Sequence, residues 1–286
     1  MKTFKIIMFS VLCLALFGAG STLAGKDVMI KGSTTVLPIA QATLEAYIKA
    51  HPGVNMSLSG GGSGEGIKAL IDKSTDIATS SREIKEDEIN LARSKGVNPV
   101  EIKVGIDAIV PVVHPSNKVK GLTIDQLSQI YQGKVTNWKE VGGDNKPIVV
   151  ISRDSSSGTF ESWGHLVLNG AKVTPKAQLQ ASNGAIVQAV SKNKYAIGYI
   201  GLGYQNKALK SLMVNGVKAT VETAITKEYP ISRALYMYTN GQAVGEAAGY
   251  IHFVLSPEGQ KLVAREGFVP LVAEKEKKPS KRSMKK

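Results

Sequence analysis

Short β-branched runs alternate along this chain with segments of helical period, and no other feature limits the fold as tightly. Residues 27–31, 54–58, 76–79, 108–113, 148–151 and 196–200 read as strands. Ile124, Leu127, Ile130 and Tyr131 share one helical face, as do Phe160, Trp163 and Val167, and again Ala247, Ala248, Ile251 and Leu255. Each stripe reads as core packing. Strand and helix in alternation predict an α/β protein with mostly parallel sheets. With 286 residues, 43% of them hydrophobic, the chain can bury one large core or two ordinary ones.

Two further segments, 107–114 and 232–239, are rich in Val, Ile, Leu and Tyr, and neither runs straight into a long helix of its own sheet. They read as crossings between two lobes. Lobe one is then residues 25–110 with 231–273, and lobe two is residues 111–230. In that arrangement a ligand sits in the cleft between the lobes, beyond the carboxyl ends of the strands.

The formal charge of +13 first suggests a polyanion partner, but its distribution removes that reading. The chain opens with a basic stub (Lys2 and Lys5), an apolar run over 6–19 and a small-residue stop at Ser21, Thr22, Leu23 and Ala24. This is the layout of a cleavable export signal over 1–24, cut after Ala24. At 14 residues its apolar run falls short of the roughly 20 needed to span a bilayer. Residues 274–286, EKEKKPSKRSMKK, have nothing to bury and predict a disordered basic tail. Without leader and tail the body holds 27 basic and 21 acidic residues, about +6, and no nucleic-acid partner is expected. The single cysteine, Cys13, lies in the leader behind the bulky Leu12, so the exported chain carries no disulfide and is not read as a lipoprotein. A soluble, monomeric protein of a bacterial periplasm is the expectation.

Three strand-to-helix turns carry the small hydroxyl and glycine residues that let backbone NH groups converge on an anion. The first is Gly32-Ser33-Thr34-Thr35, where Ser33 or Thr34 can cap the following helix and still offer a hydroxyl. The second is Ser59-Gly60-Gly61-Gly62-Ser63-Gly64, which lacks the Gly-Lys-Ser/Thr ending of a nucleotide P-loop. The third, Arg153-Asp154-Ser155-Ser156-Ser157-Gly158-Thr159, is the most specific, since its arginine brings a permanent planar cation that matches a tetrahedral oxyanion. No cofactor or metal is called for, because no histidines stand at metal-binding helix spacing and the exported chain has no cysteine. A hydrolase reading fares poorly: His51, His114, His165 and His252 accompany no Gly-x-Ser-x-Gly elbow, and none lies beside the first two turns.

Together with these turns, DIATSSRE over 76–83, LTIDQLSQIYQGKVTNWKEVGG over 122–143, AIGYIG over 196–201 and LSPEGQKLVAREGFVPL over 255–271 make the chain resemble the periplasmic phosphate-binding proteins of phosphate ABC transporters, the PstS family. The resemblance spans the whole exported body. It implies a two-lobed type II periplasmic-binding-protein fold that closes on inorganic phosphate and delivers it to a membrane permease, with no bond broken. It further implies Thr34 and Thr35 as donors of the first turn, Ser63 as that of the second, and Arg153, Ser157, Gly158 and Thr159 as contacts from the other lobe. Ser81 stands where some members carry an aspartate, which leaves the acceptor for the phosphate proton open among Ser81, Asp154 and Glu83. That acceptor matters because phosphate near neutral pH keeps a proton and sulfate has none. Arg82 is either another phosphate donor or an ion pair with Glu83 or Glu86. Sulfate or arsenate as cargo, and a sensor that meets no permease, are the rival readings within the binding class.

Overall fold

The structure is a computed structural model that describes residues 27–271; the leader with Cys13 and the tail 274–286 lie outside the described residues. The elements run β1 (Val28–Gly32), α1 (Leu37–Ala50), β2 (Met56–Gly60), α2 (Ser63–Ile71), β3 (Ile77–Ser80), α3 (Glu86–Ser94) and β4 (Pro99–Val113). They continue with β5 (Gly121–Leu122), α4 (Ile124–Tyr131), β6 (Val149–Arg153), α5 (Gly158–Leu166), β7 (Gln178–Gln180), α6 (Asn183–Ser191) and β8 (Ala196–Gly201). The chain closes with β9 (Lys210–Ser211), β10 (Met213–Val214), α7 (Val221–Ile225), β11 (Ser232–Asn240), α8 (Gly245–Leu255) and α9 (Pro257–Arg265). Cap chemistry sets several starts. Thr123 and Gln126 form a reciprocal capping box on α4, with Thr123 Oγ1 accepting from Gln126 N at 3.1 Å and Gln126 Oε1 from Thr123 N at 2.9 Å. Ser256 caps α9, whose first residue is Pro257.

One nine-stranded sheet, ordered β2-β1-β3-β11-β4-β8-β6-β7 with β9 added on β4, runs through the molecule. Its wings are parallel, as βα units require, but β11 pairs antiparallel with β3 and β4, and β4 antiparallel with β8. The expectation of mostly parallel sheets is corrected along this spine. The physical reason is that β4 and β11 carry the chain across the molecule in opposite directions. β4 is also far longer than the expected 108–113. Its first part alternates exposed Glu101 and Lys103 with half-buried Val100 and Ile102, whereas everything from Asp107 onward is buried. That first part lacks the continuous apolar run that betrays the rest.

β4 is shared by two halves. Up to Ala108 it pairs with β11, and from Ile109 to Val113 with β8. One half packs Ile30, Ile39, Tyr47, Ile77, Met237, Tyr250 and Phe268 in its core, with a satellite cluster around Ile67, Leu70 and Tyr238. The other packs Ile109, Tyr131, Ile151, Trp163, Ile197 and Tyr199. In α8 the buried face is Tyr250, Ile251 and Val254, and Leu255 is exposed, which corrects its place in the expected stripe. No helix among the described residues is long and apolar enough to cross a membrane.

Candidate functional site

The residues at the starts of α1, α2, α5 and α6, each behind a strand end, meet across the junction of the halves. At the first turn, a Cβ on Gly32 would lie 2.2 Å from the Thr79 carbonyl, and φ there is +143°, so only glycine lets β1 close on β3. Ser33 N donates to that same carbonyl at 2.9 Å. Ser33 Oγ accepts from Thr35 N at 3.1 Å and caps the turn rather than the helix proper, which starts at Leu37. Ser63 opens α2, three residues ahead of the expected start near Gly66; its Oγ accepts from Ser81 N at 3.0 Å and lies 3.3 Å from Ser81 Oγ. Ser33, Thr34, Thr35, Ser63 and Ser81 are all buried, and so are Ser157, Gly158 and Thr159 opposite them.

Ser157 caps α5 through Phe160 N at 3.2 Å. Thr159 Oγ1 meets Thr35 Oγ1 at 3.0 Å, which joins the first and third turns directly. Gly158 is a point of close approach, where a Cβ would stand 2.3 Å from Ser63 Oγ and 2.9 Å from Ser81 Oγ. Gly64 N donates to Ser156 O at 2.9 Å, and Ser156 Oγ to Gly61 O at 3.1 Å. The two halves are thus in hydrogen-bonded contact over the site.

Arg153, at the end of β6, is 1% exposed. Its Nε donates to Gln180 O and its Nη2 to Ala181 O, both at 2.9 Å, which orients the guanidinium and leaves Nη1 buried without a hydrogen-bond partner. The Tyr199 hydroxyl accepts from Arg153 N at 3.2 Å, and its ring stacks on Trp163 at 4.4 Å, so the arginine stands on a rigid aromatic base. Burial pushes its pKa down, opposed first by the Asp154 charge; an arginine stays protonated through such a shift. Asp154 Oδ1 accepts from Ser156 N at 2.8 Å and from the Ser156 hydroxyl. Its Oδ2 is buried with no hydrogen bond, 3.8 Å from Arg153 Nη2. A fixed, buried cation with one free donor, on a turn whose hydroxyls meet those of the first, has the chemistry of an anion cradle.

Two sequence expectations need correction. Arg82 binds Glu88 through both terminal nitrogens at 2.7 and 2.8 Å, donates to Glu83 O at 2.8 Å, and places Nε 3.0 Å from Glu161. Its fork is committed to carboxylates, which removes it from the anion donors, and its ion-pair partners are Glu88 and Glu161 rather than Glu83 or Glu86. Helix geometry decides this, since Glu88 sits at the third position of α3 and turns back over its start. Glu83 is likewise drawn aside to the Tyr236 hydroxyl at 3.2 Å. Glu161 also pairs with Lys85 at 2.7 Å, so α5 of one half is tied to Arg82 and Lys85 of the other. This bridge borders an open cleft of about 620 Å3 lined by Arg82, Lys85, Glu161, His165, Arg233 and Tyr236.

Sequence reading missed four residues. Asn183, fully buried at the start of α6, donates through Nδ2 to Thr34 Oγ1 at 3.2 Å and Thr35 Oγ1 at 3.0 Å. The Tyr204 hydroxyl donates to Thr34 O at 2.5 Å. Asp107 is fully buried on β4 and binds Arg233 Nε and Nη2 of β11 at 3.1 and 2.8 Å, with its other oxygen accepting from Leu202 N at 2.8 Å. Arg233 Nη2 reaches on to Thr159 Oγ1 at 2.9 Å and Thr35 Oγ1 at 3.4 Å. A signal existed for the pair: each is a single charge within an apolar crossing segment.

With that geometry in place, comparison defines the class first. A family model described as a PBP superfamily domain matches residues 18–258. The phosphate-binding protein PstS of Borreliella burgdorferi is 34% identical over 281 residues, covering 94% of this chain and 99% of that protein. PstS of Bacillus subtilis is 29% identical, covering 88% and 83% of the two chains. A putative phosphate ABC transporter substrate-binding protein from Clostridium perfringens, solved with bound phosphate, superimposes with a TM-score of 0.80 at 36% identity over 86% of this chain and 99% of that one. This chain belongs to the PstS family of the PBP superfamily.

Proposed function

We propose that the protein captures inorganic phosphate between its two lobes outside the cytoplasmic membrane and hands it to the permease of an ABC transporter. The observation that carries this reading is the buried Nη1 of Arg153, left without a hydrogen-bond partner at the strand end that leads into the turn whose Thr159 hydroxyl meets Thr35. Thr34, Thr35, Ser63, Arg153, Ser157, Gly158 and Thr159 hold the anion, with Ser33 shaping the first turn. Lobe one, residues 25–110 and 231–273, and lobe two, residues 111–230, close about the crossings β4 and β11. The protein acts as an exported monomer and breaks no bond: among the described residues no histidine is hydrogen-bonded to a cradle hydroxyl, with His51 bound to Tyr47 O and His114 to Ser116.

Titration of anion-free protein with phosphate, sulfate and arsenate is the direct test. One-to-one phosphate binding is expected, and a bound ligand at 100 times its Kd raises the melting temperature by roughly 5 to 10 °C. Binding of sulfate in place of phosphate would overturn the cargo. Asp154, with a buried acceptor oxygen left free beside Arg153, is the leading acceptor for the phosphate proton, and Ser81 the other. In Asp154→Asn the preference for phosphate over sulfate should fall about tenfold or more, the value of a charge-assisted hydrogen bond; an unchanged ratio transfers the role to Ser81.

A further inference from the structure

We propose that Arg233 is a second anion-binding guanidinium and that, held by Asp107, it makes the site select the doubly charged form of its tetrahedral anion. The inference deepens the phosphate reading and rests on it. Arg233 repeats the arrangement of Arg153 from the opposite wall. In both, Nε and Nη2 are engaged, by carbonyls for Arg153 and by Asp107 for Arg233, and in both Nη1 is buried with no hydrogen-bond partner. The Arg233 side chain is 6% exposed and Asp107 is completely buried. Nη2 touches Thr159 and Thr35, the hydroxyls that join the first and third turns, and Nη1 is bonded to the same carbon. Its free donor therefore belongs to the guanidinium that already touches the cradle hydroxyls.

Asp107 offsets the Arg233 charge in part, but each free guanidinium donor still makes a stronger charge-assisted hydrogen bond to a doubly charged oxyanion than to a singly charged one, all the more in a dry site. The Arg233 charge also helps to lower the Arg153 pKa, behind the larger effect of burial. Both Asp107 oxygens already accept from protein donors, one from Leu202 N and the other from Arg233. It acts as a positioning residue that holds the fork of Arg233 toward the hydroxyls. The return crossing β11 thus delivers a ligand contact as well as a hinge strand.

The test compares wild type, Arg233→Lys, and the double variant Asp107→Asn with Arg233→Gln, which removes both buried charges and keeps a hydrogen-bonding pair. Phosphate Kd is measured from the pH where the monoanion dominates to the pH where the dianion does. Wild type should bind more tightly as the dianion forms. The double variant should melt cooperatively without ligand, bind about 10- to 100-fold more weakly, and lose most of that pH dependence. Unchanged Kd and slope would confine the pair to a structural role. Should the double variant fail to fold, Arg233→Lys decides: it keeps the charge but not the fork, so weaker binding with the slope retained supports the assignment, and wild-type affinity overturns it. Wild type that binds sulfate alone, with the same loss in the variants, sinks the phosphate reading and spares the role of Arg233; wild type that binds no oxyanion sinks both.

Discussion

Arg153→Met should weaken phosphate binding by about 100- to 1000-fold, the scale for deleting one partner of a buried, hydrogen-bonded charge pair. The anion loses its only donor at the third turn that carries a full charge and whose direction is set by two carbonyl bonds. Ala181 O loses its arginine donor, and Gln180 O keeps only that from Asp154 N, so the ligand-free protein should also melt somewhat lower. The two effects are separable by measuring Kd calorimetrically and the melting temperature without ligand. Arg153→Lys keeps the charge, but a single ammonium cannot hold both carbonyls and still present a donor to the anion, so most of the loss should persist. Near-normal affinity in the methionine variant would show that the cradle does not depend on this cation and would remove the central support of the functional reading.

Gly158→Ala should separate closure from folding. Alanine is a better helix former than glycine in the first turn of α5, so the lobe that carries it is not weakened. The new methyl, however, would lie 2.3 Å from Ser63 Oγ and 2.9 Å from Ser63 Cβ across the junction. Overpacking of this kind costs about 1 to 3 kcal/mol, and here it falls only on the state in which the lobes meet. Phosphate affinity should therefore drop by about 10- to 100-fold, with the ligand-free melting temperature near that of wild type. Equal affinity would mean that the lobes hold phosphate without the contact between α2 and α5. A large loss of ligand-free stability would instead place the clash within the ligand-free fold.

Each hydroxyl-rich turn was legible because its chemistry is local. A glycine after a strand, hydroxyls at a helix start and an arginine at the strand end are read within seven residues, as in 153–159, and the structure brings all three turns together. Arg82 was misplaced for the complementary reason. Its neighbours Glu83 and Glu86 are near in sequence, yet Glu88 on the first turn of α3 and Glu161 on the other half are near in space. Asp107, Asn183 and Arg233 were missed because none belongs to a local motif; each takes its role from a partner at least 100 positions away, as with Arg233 and Asp107, or Asn183 and Thr35.

The amino-acid pattern by itself determined the α/β class, the three hydroxyl-rich turns and the two crossing segments, since hydrophobic period, caps and glycine conformations depend on neighbours a few residues apart. Tertiary structure alone decided that the crossings lie side by side and antiparallel, that α5 seats Thr159 on Thr35, and that a buried aspartate on one crossing holds an arginine on the other within reach of both threonines. Those are long-range contacts between buried polar groups, whose stability depends on excluding water and on partners that only the completed fold supplies.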